Sequence, residues 1–268
     1  MKALLGTLLF LLLPGAAFAE ERLEDVLVGI ASRFDPVPWA GNRYASAVVT
    51  APAWLALEER PELLYGLTQA DGILDDENVL FVRSRGLGFA TESFPWTEER
   101  SMRRYQVAIA RRLDRGVAVA VSYLWCASED DELDELDSWD ASLAWQASAR
   151  IQLVANVRNI LRTELGPNEL GRIYEAGARA TLLPRWLALF AEARRFAGEE
   201  WDDVDPVFGA ETEPFGFLKL RGRAATDDTQ GLGIEIVYGS SSVGFQYRFA
   251  KGEEDGSFAY VKLHIPHR

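Results

Sequence analysis

Beyond about residue 60 the apolar residues recur at every second position, a period that admits strands and rejects helices. Tyr105, Val107 and Ile109 alternate with Arg104, Gln106, Ala108 and Ala110. Val117, Val119, Val121, Tyr123 and Trp125 alternate with Ala118, Ala120 and Ser122. The same holds for Ile151, Leu153, Ala155 and Val157 against Arg150, Gln152, Asn156 and Arg158, and for Val243, Phe245, Tyr247 and Phe249 against Gly244, Gln246 and Arg248. In a strand one set forms an apolar face and the other a polar one. The pattern predicts fourteen strands, near 61–69, 77–83, 87–94, 103–112, 116–126, 139–147, 150–158, 173–182, 185–196, 206–211, 216–223, 231–238, 242–249 and 257–265.

The connections between these segments alternate without exception. Those at 84–86, 113–115, 148–149, 183–184, 212–215 and 239–241 are short, and those at 70–76, 95–102, 127–138, 159–172, 197–205, 224–230 and 250–256 are long. An all-β, antiparallel, up-and-down transmembrane barrel has this layout, with short periplasmic turns at one end and long extracellular loops at the other. A soluble periplasmic sandwich of two sheets is the competing fold. Charge divides along the same line, since the seven long connections hold 24 of the 41 acidic residues and only four basic ones, Arg100, Arg162, Arg172 and Lys251. Their densest run, 129–137, lacks the glycine that a calcium-binding helical-hairpin loop needs.

The first residues read as an export signal: Lys2, an apolar run from Ala3 to Leu13, the break Pro14-Gly15, and the small-x-small site Ala17-Phe18-Ala19. The run is too short to cross a bilayer as a helix. The expected organisation is a signal peptide at 1–19, an N-terminal plug or periplasmic segment at 20–60, and the barrel at 61–268, placed in the bacterial outer membrane.

One cysteine and two histidines cannot build a structural zinc site or an internal disulfide, so no metal or cofactor is expected. A formal net charge of −13 disfavours a nucleic-acid partner. Catalysis has little support. There is no G-x-S-x-G elbow, and His264 and His267 fall in and after the last strand. Cys126 ends the fifth strand as an isolated thiol.

With the apolar faces toward lipid, the polar faces turn into the lumen. Lumen-facing candidates are Arg104, Arg150, Arg158, Glu175, Arg179, Glu192, Arg194, Arg221, Glu235 and Arg248, together with Gln106, Gln152, Asn156, Lys219 and Gln246. They would line a polar pore or ligand pocket, or form a ladder of internal ion pairs closing a narrow barrel; buried charges persist mainly when paired. The outward set contains Tyr105, Tyr123, Trp125, Trp145, Phe245 and Tyr247, ring types that favour the membrane interface. Arginine at Val119 or Leu153 should therefore be costly, and arginine at Ala120 or Gln152 mild if those face a watery lumen.

Residues 45–66 carry a family resemblance. The run from Ala45 to Ala56 with Glu59-Arg60-Pro61-Glu62-Leu63 resembles the N-P-A-G-L-A segment before the first strand of the PorV and FadL-like outer-membrane proteins, with Ala51 and Trp54 where that family has Asn and Gly. Val157-Arg158-Asn159-Ile160, Phe208-Gly209-Ala210-Glu211, Leu220-Arg221-Gly222 and Gln230-Gly231-Leu232-Gly233-Ile234 resemble later blocks of the same family. The resemblance implies a fourteen-stranded barrel with an N-terminal plug that passes small solutes, hydrophobic ones included. Trp39, Tyr44, Trp54 and Leu55 would then line the plug or a pocket beside it. Residues 123–139 also resemble the barrel-like N-terminal region of delta-proteobacterial signal-peptide peptidases. That likeness implies the alternative, a non-transporting scaffold or accessory for a periplasmic, secretion or proteolysis partner. Expected partners are thus outer-membrane lipid, a small apolar solute, or such a protein.

Overall fold

The computed structural model describes residues 27–28, 38–42, 44–70, 73–97, 100–128, 134, 136–165, 168–184, 186–200, 204, 206, 207–226, 229–249 and 256–265. The signal-peptide assignment at 1–19 lies outside them. Sixteen strands occur among the described residues. They are β1 (Glu62–Ala70), β2 (Ile73–Ser84), β3 (Leu87–Thr97), β4 (Arg100–Asp114), β5 (Val117–Ser128), β6 (Asp137–Trp145), β7 (Ile151–Arg158), β8 (Glu164–Leu165), β9 (Asn168–Glu169), β10 (Ile173–Leu183), β11 (Leu187–Phe196), β12 (Val207–Phe215), β13 (Leu218–Ala225), β14 (Gln230–Tyr238), β15 (Ser241–Phe249) and β16 (Gly256–His264).

Fourteen of them close into one antiparallel barrel, of the kind that outer membranes hold. Each pairs with its chain neighbour, β7 pairs directly with β10, and β1 closes on β16 from Glu62↔His264 to Gln69↔Ser257. A two-sheet sandwich does not form. β8 and β9 make a separate two-stranded hairpin inside the long connection 159–172, which the period-two reading passes over as loop. The expected loops at 70–76 and 95–102 are mostly strand, because backbone pairing between β1 and β2 and between β3 and β4 continues to Ala70↔Ile73 and Thr97↔Arg100.

The alternation sets inside and outside as expected. Val107, Ile109, Val121, Leu143, Ile151, Val243 and Val261 are exposed on the outer wall, while their chain neighbours Gln106, Ala108, Ala120, Ser142, Gln152, Ser242 and Lys262 are buried inside. Among the described residues no helix is long and apolar enough to cross a membrane. At the long-loop end of the outer wall Tyr105 stacks on Trp125 (5.2 Å between centroids), Trp125 on Tyr123 (5.7 Å), and Tyr123 tilts against Trp139 (5.0 Å).

Space on the inner wall is tight. A Cβ on Gly244 would stand 2.1 Å from the Tyr260 ring, which lies across it and bonds through its hydroxyl to Glu235 (3.2 Å). Gly244→Ala should therefore push Tyr260 aside and cost about 1–3 kcal/mol, the usual range for overpacking, measured by urea unfolding in vesicles. A change within error would mean that Tyr260 is free to move.

Candidate functional site

Eight-stranded barrels are narrow enough for their own side chains to fill, whereas wider ones leave interior space. Here that space holds the described residues of the N-terminal segment, 27–28, 38–42 and 44–56. Its polar atoms bond to buried residues of β1, β4, β6, β7, β11 and β13, strands on opposite walls, which places it within the barrel. Asn42 organises it locally. Its side-chain amide donates to Thr50 Oγ1 (2.8 Å), and its oxygen accepts from the Tyr44 amide (3.0 Å). An α-helical turn (Ala47–Thr50) and a 3-10 turn (Pro52–Ala56) follow, the second opened by a proline whose missing N–H would have no partner there.

This part of the segment packs dry. Val48, Val49, Ala51, Ala53, Trp54 and Leu55 are buried with Ala90, Ala108, Ala118, Ala120 and Ala144 of β3 to β6 in one apolar cluster. Small wall residues make the approach close. A Cβ on Gly88 would stand 2.6 Å from Val48 and 2.8 Å from Leu55.

The long-loop half of the lumen is crossed by buried ion pairs. Arg104 pairs with Glu92 (2.5 Å), and Arg158 pairs with Glu175 (2.9 Å) and lies 3.8 Å from Asp140. Glu175 also takes Arg194 (2.8 Å). Arg104 and Arg158 both reach the carbonyl of Leu27 (3.3 and 3.5 Å), and Arg158 donates to the carbonyl of Val49 (2.9 Å), so the wall holds the segment's backbone. Asn156 does the same at Thr50 (2.8 Å).

Toward the short turns the segment meets a different surface. The Tyr44 hydroxyl accepts from Arg221 (2.6 Å) and Lys219 (3.0 Å), and Lys262 sits 3.4 Å from the ring centroid, a cation–π contact. Burial pushes the Tyr44 phenol well above its ordinary pKa, against the pull of Arg221, so the hydroxyl stays neutral. Glu235 binds Arg221 (3.1 Å) and Lys262 (2.5 Å), and Glu211 bridges Arg221 (2.9 Å) and Arg179 (2.8 Å). The Ala45 amide donates to Glu62 (2.5 Å) at this end, whereas toward the long loops on β11 the Trp39 amide donates to Glu192 and Arg194 lies 5.2 Å over the Trp39 ring.

The four residues expected at one apolar pocket thus divide. Trp39, Trp54 and Leu55 belong to one buried apolar cluster, with Arg194 also lying over the Trp39 ring, whereas Tyr44 lies outside the cluster and is gripped by cations. Of the lumen-facing candidates, Arg104, Arg158, Glu175, Glu192, Arg221 and Glu235 are buried, Arg179 and Arg194 are partly exposed at 18% and 22%, and Arg248 is half-buried in phase with Gln246. Arg150 is a correction. It is exposed in the turn before β7, because the Ser148 hydroxyl accepts from the amides of Arg150 and Ile151 and ends the ladder there. Glu62, Glu92, Asp140, Glu211 and Lys262 belong to the network and were not among the candidates. Inward parity flags Lys262, but Phe258 and Tyr260 also point inward and blur its strand's pattern.

At the long-loop rim an open groove of about 770 Å³ is lined by Tyr123, Trp125, Cys126, Asp134, Leu136 and Asp137.

No protein-family model matches the chain, and no curated protein matches it. Solved structures do. The toluene transporter TbuX of Ralstonia pickettii is similar with a TM-score of 0.63 at 11% identity, covering 90% of this chain and 99% of its own. The CymD monoaromatic hydrocarbon channel is similar with a TM-score of 0.59 at 12% identity, with the same coverage. At such identities the likeness is one of fold, and it supports the FadL-like barrel that the sequence motifs imply.

Proposed function

We propose that the chain is a bacterial outer-membrane channel for small apolar solutes, exported by residues 1–19 and closed at rest by residues 20–60 acting as a plug. The likeness to a protein named as a toluene transporter and one named as a hydrocarbon channel supports the solute class. The observation that carries the reading is the unequal grip on the segment. Residues 47–56 combine apolar packing against β3 to β6 with backbone bonds to Ser142, Asn156 and Arg158, while residues 39–45, with Trp39, Ala40 and Ala45 in the same apolar cluster, are held to β1, β11, β13 and β16 chiefly by side-chain polar and cation–π contacts, which water or a solute can replace. The 39–45 arm is thus the part that moves, and the partly exposed inner wall around Arg179, Arg194 and Glu211 is the path that it opens.

The test is uptake of toluene by cells whose outer membrane lacks other hydrocarbon channels. Expression should raise uptake, and Trp39→Ala/Tyr44→Ala should raise it further. One observation favours the scaffold reading, namely the lumen crossed by ion pairs. Unchanged uptake for both forms, with a protein that co-purifies in stoichiometric amount, would select the scaffold.

Tyr44→Phe isolates the grip. It removes the hydroxyl's bonds to Arg221 and Lys219, each of a type worth about 1.5–3 kcal/mol. Hydrogen exchange should quicken across residues 39–45 and stay unchanged at 47–56. Uniform change over both stretches would mean that the segment moves as one piece.

A further inference from the structure

The short-turn end of the barrel is not uniform. Arg85 lies in the turn between β2 and β3, Arg111 and Arg112 end β4, Arg115 lies in the turn between β4 and β5, and Arg150 in the turn between β6 and β7; all five are exposed. Asp114 is the one acidic residue on these three successive hairpin ends, in a chain of net charge −13. The remaining three turns carry Pro184 and Trp186, Gly216 and Phe217, and Gly239 and Ser240, with a single arginine, Arg185, outside the described residues.

Directly beside the arginines the outer wall exposes Leu87, Ile109, Leu113, Trp145 and Ile151, with Leu87 paired to Ile109 across the sheet. Arg85 carries a further mark. Its φ is 45°, a left-handed conformation in a two-residue hairpin turn completed by Gly86 at 82°, where asparagine or glycine fits with less strain. An arginine held there points to use of its side chain.

We infer that this sector is a docking surface for the anionic headgroups of phospholipids in the periplasmic leaflet. The inference rests on the outer-membrane placement proposed above. Charge complementarity commits it to lipid. Guanidinium groups spread along the curved edge of an apolar belt stand at headgroup height, and each can fork two hydrogen bonds to a phosphate. It also fixes how the barrel sits, since the acidic long loops and the arginine sector lie at opposite ends.

The test refolds the wild type, the R85N/R111Q/R115Q/R150Q variant and Arg85→Asn alone into vesicles of equal phosphatidylcholine and phosphatidylglycerol, then reads retained lipid by native mass spectrometry. The wild type should keep phosphatidylglycerol over phosphatidylcholine by about fivefold or more, roughly the worth of one arginine at an anionic surface. The quadruple variant should show no preference. Arg85→Asn, which supplies a residue that the turn favours and so must fold, should show a reduced one. No preference in the wild type, or equal preference in all three, overturns the inference while leaving the channel reading standing. Failure of the wild type to insert, seen as absence of a heat-modifiable gel band, removes both.

Discussion

Arg158→Ala should lower the unfolding free energy of the barrel by about 3–5 kcal/mol, the range for removing one partner of a buried ion pair. Its side chain is 2% exposed and reaches Glu175, Asp140 and the carbonyls of Val49 and Leu27 at once. Truncation leaves Asp140 without its cation and removes the bonds from β7 to the Val49 and Leu27 carbonyls, leaving Asn156 to hold the segment to that strand. Glu175 keeps Arg194, which sets the loss below that of an isolated carboxylate. Urea unfolding in vesicles measures it. A loss below about 1 kcal/mol, the scale of exposed pairs, would place this cluster in water.

Arginine at Val119 or Leu153 should cost about 2–4 kcal/mol if these outward positions lie near the bilayer midplane. The inward neighbours are not the mild sites that a watery lumen would make them. Ala120 is buried in the apolar cluster with Trp54 and Leu55, and Gln152 is buried and accepts from Arg179 (3.1 Å). Arginine at Ala120 should cost at least as much as at Val119, since it overpacks the site and buries an unpaired charge. Equal losses therefore do not blur inside and outside. A fluorophore on cysteine at 153 should be quenched by lipid-borne bromine and one at 152 should not; quenching at both would contradict the assigned faces.

The barrel is legible in the sequence for a physical reason. Lipid outside and polar groups inside force a period of two on every strand, and hairpin turns at one end force short gaps, so all fourteen strands overlap their expected places. Hydrogen-bonded pairing does not stop where hydrophobicity does, and for that reason β2 begins at Ile73 and β4 at Arg100, earlier than an apolar pattern suggests. The lumen was legible in part. Parity places Arg104, Arg158, Glu175 and Arg221 inside, but their partners depend on closure and strand stagger. Tyr44 meets Arg221 across 177 positions and Trp39 meets Glu192 across 153, contacts that no local pattern encodes. For the same reason Tyr44 reads as an apolar pocket residue alongside Trp39, Trp54 and Leu55, although cations hold it outside their cluster. Arg150 was misplaced because a serine-capped turn and a strand start look alike when the turn is short.

Planar-bilayer recording tests most directly whether residues 39–45 close the lumen. The wild-type barrel should insert and stay electrically quiet, and Trp39→Ala/Tyr44→Ala should give discrete conductance steps, with its heat-modifiable band retained. A wild type that conducts steadily, or a folded double variant as quiet as the wild type, would contradict closure by this arm.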